Sequence, residues 1–363
     1  MKRLTAMTRR HSNRRSFLKN GIVAAGAATA GAGLMGRGLA AFSREREDDR
    51  LSKGDVAILR LLAAAEIIET DLWQQYNELG GIDAIPSSYT AGLQQLDGDM
   101  LQYVSDNTDD EISHVQFLNA YLVSKGESPV DFTEFEILPS STAPGAQQIN
   151  RLTNLMQLSV DTSWWTRYRG TGNPDLGATF DQAVPTLNVG QHPAIPRDES
   201  ELGDPNNISD HVQAIANTAG FHFGFIEQAG TSLYATMSQR VTSLEVLKIT
   251  LGIGGSEIMH FQTWHDKAGN AVQLTDGDLT FPDLAHDQSE ALQANLIMPE
   301  PCEFISRNLP RCAIIRPTGP GQIDAVGAIR GFIVDGLFIG QTKEFIELLL
   351  NMAAEADEAR REL

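Results

Sequence analysis

Basic side chains are scarce in this chain. Its 363 residues carry 28 Lys+Arg against 47 Asp+Glu, a formal net charge of −19, and no basic patch interrupts the acidic background. A surface of that sign repels phosphate backbones and anionic headgroups, which argues against nucleic acid and anionic lipid and favours cations. Cysteine is almost missing. Cys302 and Cys312 are the only two, ten positions apart in PEPCEFISRNLPRC, and they lack the CxxC spacing of a redox pair, so they read as a loop staple. Long apolar runs are missing too: beyond residue 41 nothing approaches the roughly 20 residues that span a bilayer. There is neither a glycine-rich phosphate loop after a strand nor a nucleophile elbow, and GIGGSE at 252–257 lies in a helical context.

The first 41 residues read as an address. NRRSFLKNG, with Arg14 and Arg15, precedes an Ala/Gly-rich run from Ile22 to Met35, and the small residues GLAA end it at Ala41. This resembles a twin-arginine signal. The resemblance implies contact with the twin-arginine translocation machinery, export of a folded protein, and a periplasmic or extracellular location. The run is short and glycine-rich for a span, so no stable membrane anchor is expected; an uncleaved signal is the alternative. Residues 1–41 hold eight of the basic residues and no acid, leaving 20 basic against 47 acidic residues, a formal −27.

Four later segments have helical periodicity. The first opens at a capping-box pattern, Ser52 and Asp55, and runs to a stop at Gly80–Gly81. The second runs from about Asp97 to Gly126, the third from Ser209, and the fourth from a second capping-box pattern, Thr242 and Glu245, to about Gly269. A moderate loop joins the first two and almost none the last two. Between the pairs lies an insertion, 127–207. Two antiparallel hairpins with one long crossover make an all-α four-helix bundle over residues 55–270, following a signal at 1–41 and a linker at 42–54. The crossover is expected to include a helix within Ala143–Gly170 and then loop, with Trp164, Trp165 and Tyr168 packed over the bundle as a lid or flank. Residues 271–363 form a loop and a helical extension. Its amphipathic segment, Gln322–Leu363, is expected to pack on the bundle's own outside, with contact between copies in a homo-oligomer as the alternative.

One short stretch carries the chemistry. SEIMH, 256–260, puts a carboxylate and an imidazole three residues apart on the face that also bears Leu247, Phe261 and Trp264. Buried acids need a positive partner. Residues at i and i+3 share a helix face, so Glu-x-x-His can hand two ligands to one metal. The motif occurs twice, as Glu111/His114 and Glu257/His260, each in the second helix of a hairpin. The first helix of each hairpin offers an acid from its inward stripe: Glu66 in Leu59, Ala63, Glu66, Thr70, Trp73, and Glu227 in Ala219, Phe223, Glu227, Gly230, Tyr234. Both acids precede an aromatic by seven residues.

This double pattern resembles the ferritin-like superfamily, and within it the ferritin-like domain family that includes desiccation-related proteins, over about residues 55–126 and 208–268. The resemblance implies a ferritin-like bundle with Glu66 and Glu227 as lone carboxylates and Glu111 with His114 and Glu257 with His260 as paired ligands. That is the general donor set of di-iron and di-manganese carboxylate bundles. It implies two divalent iron or manganese ions as cofactors and an oxidoreductase acting on O2 or peroxide. The alternatives are a non-catalytic stress- or desiccation-related scaffold, and metal storage. Glu69 competes with Glu66 as ligand, and a metal-free hydrogen-bonded network competes with a metal site, although four converging acids would repel. Asp109 and Asp110 read as solvated or as supports behind the ligands. His222 and His265, off the ligand spacing, read as surface or core histidines. Gly252, Gly254 and Gly255 serve either close packing or a cavity beside the metals.

Overall fold

In a computed structural model of the chain, residues 50–167, 181–287, 299–300, 306, 308–309, 312–313 and 324–362 are described. The signal at 1–41, Tyr168 and the Cys302 end of the expected staple lie outside them. The chain divides into Met1–Arg50 and Leu51–Leu363, and the fold is that of the second unit.

Helix α1 spans Lys53–Gly80, and its N-cap Ser52 accepts from the Asp55 amide at 3.0 Å. Only half of the expected capping box forms. The Asp55 carboxylate turns instead to another helix start, accepting from the amides of Thr242 at 2.8 Å and Ser243 at 2.9 Å. Two unpaired amides at a helix N-terminus offer it a stronger, charge-assisted pair than one amide of its own turn. The second capping box is likewise displaced. The N-cap there is Ser243, not Thr242, and Glu245 reaches out to Tyr121 and Lys125.

The loop after α1 contains an unexpected helix, α2 (Ser88–Leu96), with a capping box of its own at Ser87 and Thr90. Helix α3 spans Met100–Ser124, and the chain leaves it through Gly126 at φ +85°. After the crossover come α5 (Asp210–Ser238), capped by Ser209, and α6 (Leu244–Ala268). Asp55 ties the start of α1 to the start of α6, while Lys267 reaches Asp97 at 2.7 Å, placing the end of α6 beside the start of α3. Helices α1 and α6 therefore run one way and α3 and α5 the other. Two antiparallel hairpins, α1/α3 and α5/α6, close into a four-helix bundle.

Helix α5 is buried almost all round, the pattern of a helix with neighbours on every side. Its outer neighbours are α2 and the crossover. That crossover differs from expectation: among the described residues, Ala143–Gly170 holds one helical turn, α4 (Ser163–Arg167). The backbone donors go elsewhere. Asn154 bonds to the Leu337 carbonyl and Ser159 to that of Asp335, each at 2.7 Å, and Ala194 to that of Leu155 at 2.9 Å. Side chains fix the segment to α1: Arg151 pairs with Glu78 at 2.6 Å, and Thr153 donates to Asp71 through its amide and hydroxyl. On the other side Trp164 and Trp165 are fully buried against α5 and α6.

After α6 come a hairpin, β1 (Leu274–Asp276) and β2 (Leu279–Phe281), and a short antiparallel pair, β3 (Pro299–Glu300) and β4 (Cys312–Ala313). The expected amphipathic segment is two helices, α7 (Ala325–Asp335) and α8 (Lys343–Glu358). Gly336 at φ +91° ends α7, a conformation that an L side chain adopts only at a cost. Helix α8 buries Phe345, Leu349, Met352, Ala353 and Ala356, and packs on α1. Among the described residues no helix is long and apolar enough to cross a membrane.

Candidate metal centre

The inward stripes of the four bundle helices meet at one level. Glu66 from α1, Glu111 from α3, and Glu227 and Glu257 from α5 and α6 are each 0% exposed, and His114 is 8% exposed. Their donor atoms form two groups in which all atoms lie within 4.8 Å of one another: Glu66, Glu111, His114 and Glu257 in one, Glu111, Glu227, Glu257 and His260 in the other. The structure thus brings all six expected residues together. Glu111 and Glu257 belong to both groups. Each end keeps its own glutamate and histidine, Glu66 with His114 and Glu227 with His260.

Distances show how the two groups are joined. His114 Nδ1 lies 2.9 Å from Glu111 Oε2, 3.1 Å from Glu66 Oε2 and 3.4 Å from Glu257 Oε1. His260 Nδ1 lies 3.1 Å from Glu111 Oε1 and 3.2 Å from Glu227 Oε2. Glu111 therefore gives one oxygen to each histidine. A single ring nitrogen carries at most one proton, too few for three surrounding carboxylates. Both oxygens of Glu257 are buried without a hydrogen-bond partner. Orphaned carboxylate oxygens at the meeting point of four acids and two imidazoles fit cations, and two divalent ions would balance the four carboxylate charges. The residues present can bind metal ions.

Without such ions the cluster keeps protons. Burial, then the charges of Glu111, Glu66 and Glu227, push the Glu257 carboxyl well above the usual range. Burial and Glu227 push Glu111 up to about 7 against the hydrogen bonds from the histidines. Burial works to lower His114, yet its bonds to Glu111 and Glu66 hold it up at about 10. His260 is likewise raised, its burial overcome by the charge of Glu227 and by bonds to Asp110, Glu111 and Glu227. Protons here stand in for the missing positive charge.

Several supporting groups carry no motif in the sequence. Asn107, one turn before Glu111, donates from Nδ2 to Glu111 Oε1 at 2.7 Å and Glu227 Oε1 at 2.9 Å, joining the hairpins. Its Oδ1 accepts from the Trp264 indole at 2.8 Å, which fixes the amide's orientation. The Tyr234 hydroxyl donates to Glu66 Oε1. On the outer side the histidines' second nitrogens are held, His114 Nε2 by Ser256 at 3.1 Å and His260 Nε2 by Asp110 at 3.2 Å. Such bonds set which nitrogen faces a metal and how the ring is aimed. Asp110 supports a ligand from an exposed position.

Glu69 is buried, and its carboxyl is pushed far up by burial, then by Glu66, Glu111 and Glu227. It belongs to neither donor group; Glu66 does. His222 and His265 are core histidines, His222 between Tyr76 and Asp335 and His265 stacked on Trp165 with centroids 4.4 Å apart. Of the three glycines of α6, Gly254 serves close packing. A Cβ on Gly254 would meet that of Tyr234 at 2.8 Å, whereas Gly252 and Gly255 face open space.

Gly230, one turn after Glu227, is the tightest approach to the cluster: a Cβ there would lie 2.4 Å from Glu257 Oε2. Gly230→Ala should add roughly 1 kcal/mol of helix propensity while pushing that carboxylate aside. The second effect governs metal binding. The variant is expected to fold and to lose about 10- to 100-fold in metal affinity, read by competition with a chelator; unchanged affinity would show that Glu257 is not a ligand.

Residues 54–269 match the family described as the ferritin-like domain. The chain matches no curated protein and no solved structure.

Proposed function

Because this chain belongs to the ferritin-like domain family, we propose that it is a di-metal carboxylate protein that holds two iron or manganese ions and acts as an oxidoreductase on O2 or peroxide. The observation that carries the reading is the sharing of Glu111 and Glu257 between two four-residue donor groups, each completed by its own Glu and His. A pair of such ions supplies redox equivalents for reducing or disproportionating a small oxygen species.

The chain's own residues do the rest. Glu66 with His114 and Glu227 with His260 would each hold one ion, and Glu111 and Glu257 would reach both. Asn107 ties Glu111 to Glu227 by donating to both. Tyr234 holds Glu66 from the buried side, while Ser256 and Asp110 hold the histidines from the outer one. Access for a small substrate is best on that outer face, between α3 and α6, where His260 and Ser256 are half-buried and Gly255 leaves room. Trp73, Phe223 and Trp264 pack on one another about two turns along the helices from Glu66 and Glu257 and close the core beyond the cluster.

Export fits this reading, since a chain that folds before crossing a membrane carries its metals with it. The pattern Arg14, Arg15, Phe17, Leu18 and Lys19 ahead of a mild apolar run supports a twin-arginine route to the periplasm or beyond.

Elemental analysis of the protein purified from its own host, followed by O2 and peroxide consumption, tests the function. About two irons or manganeses per chain with turnover are expected. Substoichiometric metal that cannot be raised by reconstitution would reduce the bundle to a scaffold, and two ions without turnover would leave a metal-holding protein.

A further inference from the structure

The proposed function leaves unused a buried chain of redox-capable side chains that starts at the cluster and ends on a proton acceptor. Trp264 donates its indole N–H to Asn107, whose amide bonds to two of the carboxylates. Its ring stacks on Trp73 at 5.3 Å between centroids and 24° between planes. Trp73 lies 5.7 Å from Tyr76, and Phe223 fills the angle between all three, 4.6 to 4.8 Å from each. The Tyr76 hydroxyl lies 2.8 Å from His222 Nδ1, and His222 Nε2 lies 3.0 Å from Asp335 Oδ2. All of these side chains are buried.

Resting on the di-metal reading, we propose that Tyr76 is a redox-active tyrosine, giving one electron to the metal centre through Trp73 and Trp264 and its phenolic proton to His222. The step balances. With peroxide or O2 as the oxidant, a bound metal pair would supply a one-electron vacancy; the indole of Trp264 and then that of Trp73 would pass it outward, and Tyr76 would fill it. The Oη–H bond breaks as an N–H bond forms at His222 Nδ1. A neutral tyrosyl radical and an imidazolium remain, and the imidazolium keeps its Nε2–H on Asp335, the partner that fixes this tautomer.

Proton acceptance separates Tyr76 from Tyr234, Tyr89 and Tyr103. Oxidised phenol is a strong acid, so the radical settles where a base is waiting. Tyr234 is nearer the cluster but bonds to Glu66, one of the carboxylates that would hold a metal ion, and an oxygen engaged by a cation is a poor proton acceptor. Tyr89 bonds to the Ala194 carbonyl, which accepts no proton. Tyr103 meets Trp264 edge-on, yet Lys267 Nζ sits 5.4 Å from its ring centroid, and a cation there opposes loss of an electron.

The test is freeze-quenched electron paramagnetic resonance on the full chain loaded with ferrous iron and mixed with hydrogen peroxide, with iron content measured in every sample. A tyrosyl signal is expected in the parent and in Tyr89→Phe, and its loss in Tyr76→Phe with iron retained. His222→Gln, which keeps the volume near Tyr76 but removes the base, should also lose the neutral radical. A signal that survives Tyr76→Phe, or that disappears only in Tyr234→Phe, overturns the relay and leaves the di-metal reading standing. So does iron-loaded parent that consumes peroxide with no organic radical. A chain that takes up no iron overturns the di-metal reading and the relay with it.

Discussion

Glu111→Gln together with Glu257→Gln is expected to abolish binding of the two metal ions proposed for the bundle and, in metal-free buffer, to raise the protein's melting temperature. The first effect follows from sharing. These are the only two residues common to both donor groups, so their loss leaves each ion with one glutamate and one histidine, and metal content should fall from about two per chain to none. The second effect follows from burial. Glu257 is 0% exposed with two unpartnered oxygens and Glu111 is equally buried among other acids. A neutral amide of the same shape removes like-charge repulsion and the cost of desolvating a charge.

Stability should also depend on pH with a definite sign. Glu111 rises from its ordinary 4.5 to about 7 and His114 from 6.5 to about 10 in the folded chain. Both groups hold protons more tightly when folded. Their contribution is therefore fully present below the unfolded values and is lost as pH rises, first through Glu111 between about 4.5 and 7 and then through His114 between about 6.5 and 10. Metal-free parent should melt progressively lower across that window, and the double variant should show a flatter profile. Denaturation by heat at a series of pH values decides it. A parent that gains stability as pH rises would mean the acids are not crowded in solution as they are in the structure.

Trp164→Ala is expected to cost about 3 to 5 kcal/mol. Trp164 is fully buried and joins the crossover to both helices of the second hairpin, against Phe221 and Phe261, with its ring over Gly224. Its indole nitrogen is buried without a partner, so truncation also relieves an unsatisfied donor. That relief is about 1 to 3 kcal/mol and is already contained in such measured losses, so it moderates the effect without reversing it. Among its described residues the crossover has almost no regular secondary structure to hold it once this anchor is gone, and limited proteolysis should cut within it before the bundle opens. A second measurement isolates the contact. A Cβ on Gly224 would lie 2.5 Å from the Trp164 ring, so Gly224→Ala should be strongly destabilising in the parent and mild beside Trp164→Ala. Additive losses would show that the indole does not sit on that glycine.

The bundle was readable because its helices are long, periodic and begin at Ser or end at Gly. The site was readable because two ligands three residues apart leave a mark in a single helix, and the mark is repeated. What was not readable had no local mark. Asn107 looks like any polar residue on a helix face until α5 brings Glu227 to it. The bonds of Asp55 and Glu245 resemble capping boxes until other helices offer better partners. Residues 143–162 contain apolar spacing that suits a helix, but their backbone donors and acceptors are taken by segments far along the chain, which no window of sequence reveals. His222 has the least local signal of all, since its meaning depends on Tyr76 from α1 and Asp335 from α7.

The tie between Asp55 and the start of α6, and the seat of α8 on α1, have a consequence for the order of events during synthesis. Helix α1 emerges first of the bundle helices, yet Thr242 and Ser243, which its Asp55 bonds, follow only after α5, and α8, which packs on it, follows only after the whole second hairpin. Contacts between segments so far apart in the chain carry a loop-closure cost and form late, so until then α1 has only α2 and α3 to pack on. Cations that draw the four acids together would then act as a late clasp, rewarding only those chains in which both hairpins have already met.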